Sequence, residues 1–257
     1  MLTLISPAKA LDFSRDTNGL VATEPRFVKD SAVLLKRCKQ LSTRSLRKLM
    51  DLSEPLAQLN RDRFQEMSLP STPENAKPCV MAFDGDVYHG LDAPSLSDGD
   101  LSWAQERLRI LSGLYGLLRP FDLIQPYRLE MGTRLSNTRG KNLYDFWGKR
   151  LAVSLNAESE ALPGTPVLNL ASNEYAKAVP MKHLAPPMVT AVFQEERDGH
   201  AQTIGFVAKR ARGLMARFVI ENRIDEPEAL KEFAEEDYGY RPDLSEDDRL
   251  VFTRPRP

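Results

Sequence analysis

Leu101–Pro120 reads LSWAQERLRILSGLYGLLRP and carries a helix signal, a glycine turn and three arginines within twenty residues. Ser102 and Gln105 have the Ser-x-x-Gln spacing of a capping box, and Ala104, Leu108 and Leu111 then fall on one helical face. Gly113 stands where a left-handed C-cap would stop the helix, Gly116 keeps the next turn thin, and Pro120 resists a further helical turn. The expectation is a helix running into a tight Gly-Leu-Tyr-Gly hairpin. Glycine turns let backbone N–H groups converge on an anion, and Arg107, Arg109 and Arg119 supply charge nearby. That is how a helix-hairpin-helix-like element grips a DNA backbone. The alternative is an ordinary hairpin whose arginines are solvated or paired with Glu106, and the two residues between the glycines depart from the usual Gly-x-Gly spacing.

On the N-terminal side of this segment, Met1–Ser6 reads as a short buried strand ending at Ser6-Pro7-Ala8-Lys9. Val28–Gln65 has helical periodicity with Ser42 and Ser53 as caps, which predicts two or three helices. Ser68–Pro78 is a proline-bearing loop, and Cys79–Phe83 is a strand entering the Asp84-Gly85-Asp86 turn. On the C-terminal side, Leu123–Met131 is extended, Asn142–Leu155 is helical and Val167–Leu170 is an apolar strand leading into Ala171–Lys177. Met188–Phe193 and Gln202–Phe206 alternate around Asp198-Gly199 as a hairpin does. A helix over Val207–Arg223, a further helix in the acidic stretch Pro227–Asp237 and a final strand at Leu250–Thr253 complete the chain.

The 257 residues suffice for a substantial core, and no repeat or clean linker divides them, so one domain over residues 1–257 is expected. With 35 basic and 36 acidic residues, any nucleic-acid site is a local patch and not a global field. Cys38 and Cys79 are too few and too far apart for a disulfide framework or a thiolate metal cage. The opening Leu2-Thr3-Leu4-Ile5 lacks a signal-peptide pattern, and nowhere do about 20 apolar residues run together as a membrane span requires. A cytoplasmic protein without a membrane partner is expected.

In Val207–Arg223, Val207, Ala211, Leu214, Met215 and Phe218 share one side, while Lys209, Arg212 and Arg223 face away, flanked by Arg210 and Arg217. Gly213 and Ala216 lie on the basic side and would let a bulky ligand approach closely, since a glycine inside a helix costs about 1 kcal/mol relative to alanine and asks for a reason. The alternative is a solvated basic face balanced by Glu221, Glu226 and Glu228.

Three other chemistries have candidate residues. His89, His183 and His200 form no zinc-type pair, and Asp84, Asp86, His89 and Asp92 could offer ligands to iron or magnesium but also read as a plain turn. No metal site and no cofactor is therefore expected. Ser6 and Lys9 have the spacing of a Ser-x-x-Lys dyad, though Pro7 makes a tight strand exit an equal explanation. Polar groups nevertheless gather at strand ends, so Lys9, Asp86, Tyr88, Arg128, Asn173 and Lys177 are candidates for one pocket acting on a small molecule or a nucleobase.

Five blocks occur in order along nearly the whole chain: Ile5–Lys9; Ala82-Phe83 with Gly85–Tyr88 and Gly90–Asp92; Ser112–Pro120 with Gln125–Gly132; Asn169–Tyr175; and Ala208–Gly213. Together they resemble the YaaA family of bacterial peroxide-stress proteins. The resemblance implies a cytosolic protein of the hydrogen peroxide response that restrains free iron, is associated with DNA and has a mixed α/β fold with a positively charged cleft. It supplies no catalytic residues. The resulting expectation is an α/β (mixed α+β) single compact domain with a central mixed sheet, surrounding helices and a helix-hairpin-helix-like element. Its partner would be double-stranded DNA, contacted through backbone phosphates by Gly113, Tyr115, Gly116, Arg119, Lys209, Arg210, Arg212 and Arg217, with iron affected indirectly.

Overall fold

The computed structural model describes residues 1–17, 19–162 and 164–256. Strands β1 (Leu2–Ile5) and β2 (Ala10–Leu11) precede three helices, α1 (Val28–Lys39), α2 (Thr43–Met50) and α3 (Glu54–Glu66). Ser42 caps α2 by accepting the Ser45 N–H at 3.2 Å, and Ser53 stands at the cap of α3. β3 (Lys77–Pro78), α4 (Cys79–Ala82), β4 (Phe83–Asp84), α5 (Asp86–Leu91) and α6 (Asp98–Arg107) follow. Next come β5 (Leu108–Ser112), β6 (Gly116–Leu118), β7 (Leu123–Ile124), α7 (Leu143–Trp147) and α8 (Arg150–Ser159). β8 (Val167–Asn169), α9 (Asn173–Ala176), β9 (Met188–Arg197), β10 (His200–Gln202), α10 (Gly205–Glu221), β11 (Gly239–Tyr240) and β12 (Arg249–Pro255) end the chain.

The main sheet runs β11-β12-β9-β8-β1-β5-β6, with β10 extending the edge of β9. Its five central strands, β12, β9, β8, β1 and β5, are parallel, and antiparallel strands close both ends. Leu2–Ile5, Leu108–Ser112 and Val167–Asn169 are buried throughout, as parallel strands covered on both faces must be. The chain leaves β1 for β5 on one side and later returns as β8 on the other. The gap between the carboxyl ends of β1 and β8 is therefore the topological switch point, where open α/β sheets leave a crevice.

The mixed α/β architecture is as expected, but Leu101–Pro120 is not a helix-hairpin-helix element. The capping box belongs one turn earlier, where Ser97 and Asp100 exchange side-chain-to-backbone bonds at 3.2 Å each. The helix then ends at Arg107, and Leu108–Ser112 pairs in parallel with β1. Ala104, Leu108 and Leu111 fit a helical period, yet a short apolar run buried on both faces fits a central strand equally well, and sheet pairing decides. Gly113–Gly116 is a strand hairpin, and Gly116, at φ 76, lies against Trp147.

Further corrections have similar causes. Cys79–Ala82 is a buried helical turn and not a strand. Asn142–Leu155 breaks into two helices at Gly148, whose φ is 52. Of Leu123–Met131 only Leu123–Ile124 pairs. The Asp198-Gly199 hairpin forms with positive φ at both turn residues, but its second strand ends at Gln202. The acidic stretch is two short 3-10 turns, Pro227–Glu232 and Glu235–Asp237.

Candidate functional site

At the switch point, Ser6 follows β1 and Ser172 follows β8. The Ser172 N–H donates to Ser6 Oγ at 2.9 Å, which donates in turn toward Ser172 Oγ at 3.4 Å, and the Tyr88 hydroxyl donates to the Ser6 carbonyl at 3.1 Å. These bonds tie the loops after two parallel strands to the start of α5. The two-residue pairing of β2 with β4 holds the second wall in place, with Gly85 so close to Ala8 that a Cβ would stand 3.3 Å away. The third wall is α10. It crosses α5 where Gly90 faces Arg210 and Gly213 faces Val87, backbone against backbone.

The result is a cavity of about 310 Å³ reached by Lys9, Asp86, Tyr88, Glu130, Ser172, Glu174, Tyr175, Lys209 and Arg212. Four of its seven charged groups already have partners. Glu130 takes Arg128 at 2.8 Å and Lys9 at 3.3 Å, Asp84 takes Arg15 at 2.5 Å and His89 at 3.0 Å, and Glu174 accepts the Gly132 N–H at 2.7 Å. Three charged groups of this lining have no hydrogen-bonding or ionic partner among the described residues: Asp86, Lys209 and Arg212. The Arg212 Nε is shielded from solvent with no acceptor, and burial alone pulls its guanidinium below its usual value. Burial likewise holds the Tyr88 and Tyr175 hydroxyls neutral, well above their usual range.

The structure divides the expected sites differently. Of the six pocket candidates, Lys9, Asp86 and Tyr88 share the cavity, and Arg128 acts from behind Glu130. Asn173 and Lys177 face a neighbouring cavity of about 400 Å³ with Asn169 and Asp248, so one site containing all six does not form. Ser6 and Lys9 take different partners, Ser172 and Glu130, and make no dyad. Among the phosphate-binding candidates, Gly113, Tyr115 and Gly116 are buried, with the Tyr115 hydroxyl accepting the Gln125 N–H at 3.1 Å. Arg119 is held by Asp122, and Arg109, 5% exposed, pairs with Glu158 at 2.5 Å. Arg210 pairs with Glu236 at 2.6 Å, while Arg217 donates to the Leu91 and Asp92 carbonyls and to Ser95. Gly213 and Ala216 face α5 and the core and offer no approach to a ligand. Only Lys209 and Arg212 of that set remain uncommitted among the described residues.

Of the candidate iron ligands, Asp84 and Asp92 are engaged by Arg15 and Arg217, and among the described residues no group of three or more His, Cys, Asp or Glu is placed to hold a metal. Sequence reasoning placed helices α2 and α3, with Ser42 and Ser53 as their caps, but not the basic surface they carry. A three-residue turn, Asp51–Ser53, with Asp51 at φ 49, folds α3 back on α2, buries Leu46, Met50, Ala57 and Phe64, and is braced by Thr43 donating to Gln58 at 2.8 Å. Arg44, Arg47 and Lys48 are exposed on this pair and Arg61 and Arg63 half-buried, all with no acidic partner among the described residues. The signal was present as basic spacing at 44, 47 and 48 on one helical face.

The chain matches the family described as peroxide stress protein YaaA over residues 1–244. It is 52% identical over 256 residues to UPF0246 proteins of Burkholderia mallei (strain SAVP1) and Burkholderia pseudomallei (strain K96243), and 51% identical to one of Burkholderia cenocepacia (strain HI2424). Each alignment covers 99% of this chain and 98% of the relative. No helix among the described residues is long and apolar enough to cross a membrane.

Proposed function

The chain belongs to the peroxide stress protein YaaA family, and from that premise we propose that it binds duplex DNA through backbone phosphates, with α2 and α3 as the contact. The observation that carries this reading is the set of five cations on one helix pair, Arg44, Arg47, Lys48, Arg61 and Arg63, that no carboxylate among the described residues holds in an ion pair. Burial alone lowers Arg63, which fits a guanidinium lacking its anion. Phosphate contacts of this kind position a protein without reading bases, so sequence preference is weak.

Replacing Arg44, Arg47 and Lys48 together by Glu is expected to weaken binding of every duplex by roughly a hundredfold or more at low salt. The slope of log affinity against log salt should fall by about 0.9 for each phosphate no longer neutralised. Fluorescence anisotropy on several unrelated duplexes measures both. Unchanged affinity in the triple variant removes the helix pair as the contact.

Restraint of free iron is proposed to be indirect, since the described residues group no metal ligands. The response also lies outside thiol chemistry. Burial pushes the Cys38 thiol up to about 12 and Cys79 well above its ordinary value, and the thiolate is the reactive form. Neither cysteine of the folded protein should be modified by dilute peroxide or a maleimide, whereas both label after denaturation. Mass spectrometry showing rapid labelling in the folded state would contradict this.

A further inference from the structure

The cavity between β1 and β8 is unexplained by DNA contact on α2 and α3. Its three charges without a partner among the described residues come from two helices that the Gly90 and Gly213 crossing holds together. Val87 touches Gly213, so Asp86 and Arg212, each one residue before the contact, both reach the same cavity. They nevertheless form no ion pair with each other, and neither does Lys209 with Asp86. A mostly buried guanidinium without an anion is costly, as is any buried charge left uncompensated. The fold keeps this cation beside a cavity at the place where α/β sheets bind small ligands, with Pro7, Ala8, Val87 and Tyr175 supplying apolar surface.

We propose that this cavity binds a small organic anion. Its phosphate or carboxylate would complete Arg212 and Lys209, and a hydroxyl or amine on the same molecule would donate to Asp86. The site is independent of the DNA reading, because none of its residues lies on α2 or α3. The cavity's size of about 310 Å³ suits a small molecule of the size of a nucleotide or a sugar phosphate. Lys9, already shared with Glu130, is 65% exposed at the mouth and guides an anion inward.

The test is thermal shift and calorimetry on the full chain with inorganic phosphate, nucleoside 5′-monophosphates, and small hydroxy and amino acids. At least one anion bearing a donor is expected to raise Tm and to bind more tightly than inorganic phosphate, and Asp86→Asn should erase that difference. Arg212→Met should weaken binding roughly ten- to hundredfold, as losing a charge-assisted bond does. It should do so without lowering the ligand-free Tm, since it removes an unpartnered cation, and that readout separates a binding role from a structural one. The variant with Arg44, Arg47 and Lys48 replaced by Glu should bind the anion as well as the parent. Stabilisation by phosphates alone or by carboxylates alone identifies the anionic group and supports the site. No response to any of these anions overturns it, as does Arg212→Met binding undiminished, or loss of DNA affinity in Arg212→Met with no small-anion binding in the parent.

Discussion

Gly213→Ala is expected to destabilise the protein by about 3 kcal/mol or more, as overpacking a rigid contact does. Helix propensity predicts the opposite sign, because alanine inside a helix is favoured over glycine by about 1 kcal/mol. Contact geometry decides between them. A Cβ at Gly213 would stand 1.9 Å from the Val87 carbonyl oxygen and 2.8 Å from the Leu91 nitrogen, and a Cβ at Gly90 would stand 2.2 Å from the Arg210 carbonyl. All are backbone atoms, so no side chain can swing aside, and α5 and α10 must separate. Gly90→Ala should cost a similar amount, and the double variant less than the sum, since the first separation makes room for the second methyl. Denaturant unfolding measures each. A Gly213→Ala protein more stable than the parent would show that the helices do not cross in contact, and the cavity they frame would lose its geometry.

Glu158→Ala is the second large effect, with an expected cost of about 3 to 5 kcal/mol. Glu158 accepts from Arg109 Nε at 2.5 Å and from Arg26 at 2.7 Å, and it is only 12% exposed. Arg109 also donates to the carbonyls of Gln105 at 2.9 Å, Glu106 at 3.1 Å and Leu108 at 2.6 Å, where α6 gives way to β5. Without the carboxylate, a guanidinium fixed in the sheet keeps its backbone acceptors but has no counter-charge. Replacing both partners, as in Arg109→Met with Glu158→Leu, should recover much of the stability, because an apolar pair of similar volume escapes the desolvation cost of the ions. If Glu158→Ala alone unfolds at the parent's denaturant midpoint, the pair contributes nothing and Arg109 is satisfied by carbonyls.

What was legible in this chain depended on the range of the interaction that decides each element. Ser42 capping α2, the Asp198-Gly199 turn, strands at Leu2–Ile5 and Val167–Asn169, and a helix starting near Val207 follow from neighbours a few residues apart, and they formed as expected. The α10 faces did not follow. Periodicity placed Gly213 and Ala216 on a solvent side, but a glycine buried against another helix and one open to a ligand look alike in sequence. Lys9, Asp86 and Tyr88 of the cavity were visible as polar groups at strand ends. Glu130, Ser172 and Glu174 joined Lys9, Asp86 and Tyr88 only once β1 and β8 became neighbours.

By itself, then, the sequence determined a mixed α/β chain of the peroxide-stress family, with its strand ends rich in chemistry. Only the tertiary structure decided that Leu108–Ser112 is a central strand and not a helix, because two-sided burial and parallel pairing with β1 outweigh local periodicity there. The same pairing removes Arg109 from solvent and closes Gly113–Gly116 against Trp147. Among the described residues it leaves cations without a partner on α2 and α3 and at Lys209 and Arg212, since a charge is free for a ligand only where the fold has supplied no partner of its own.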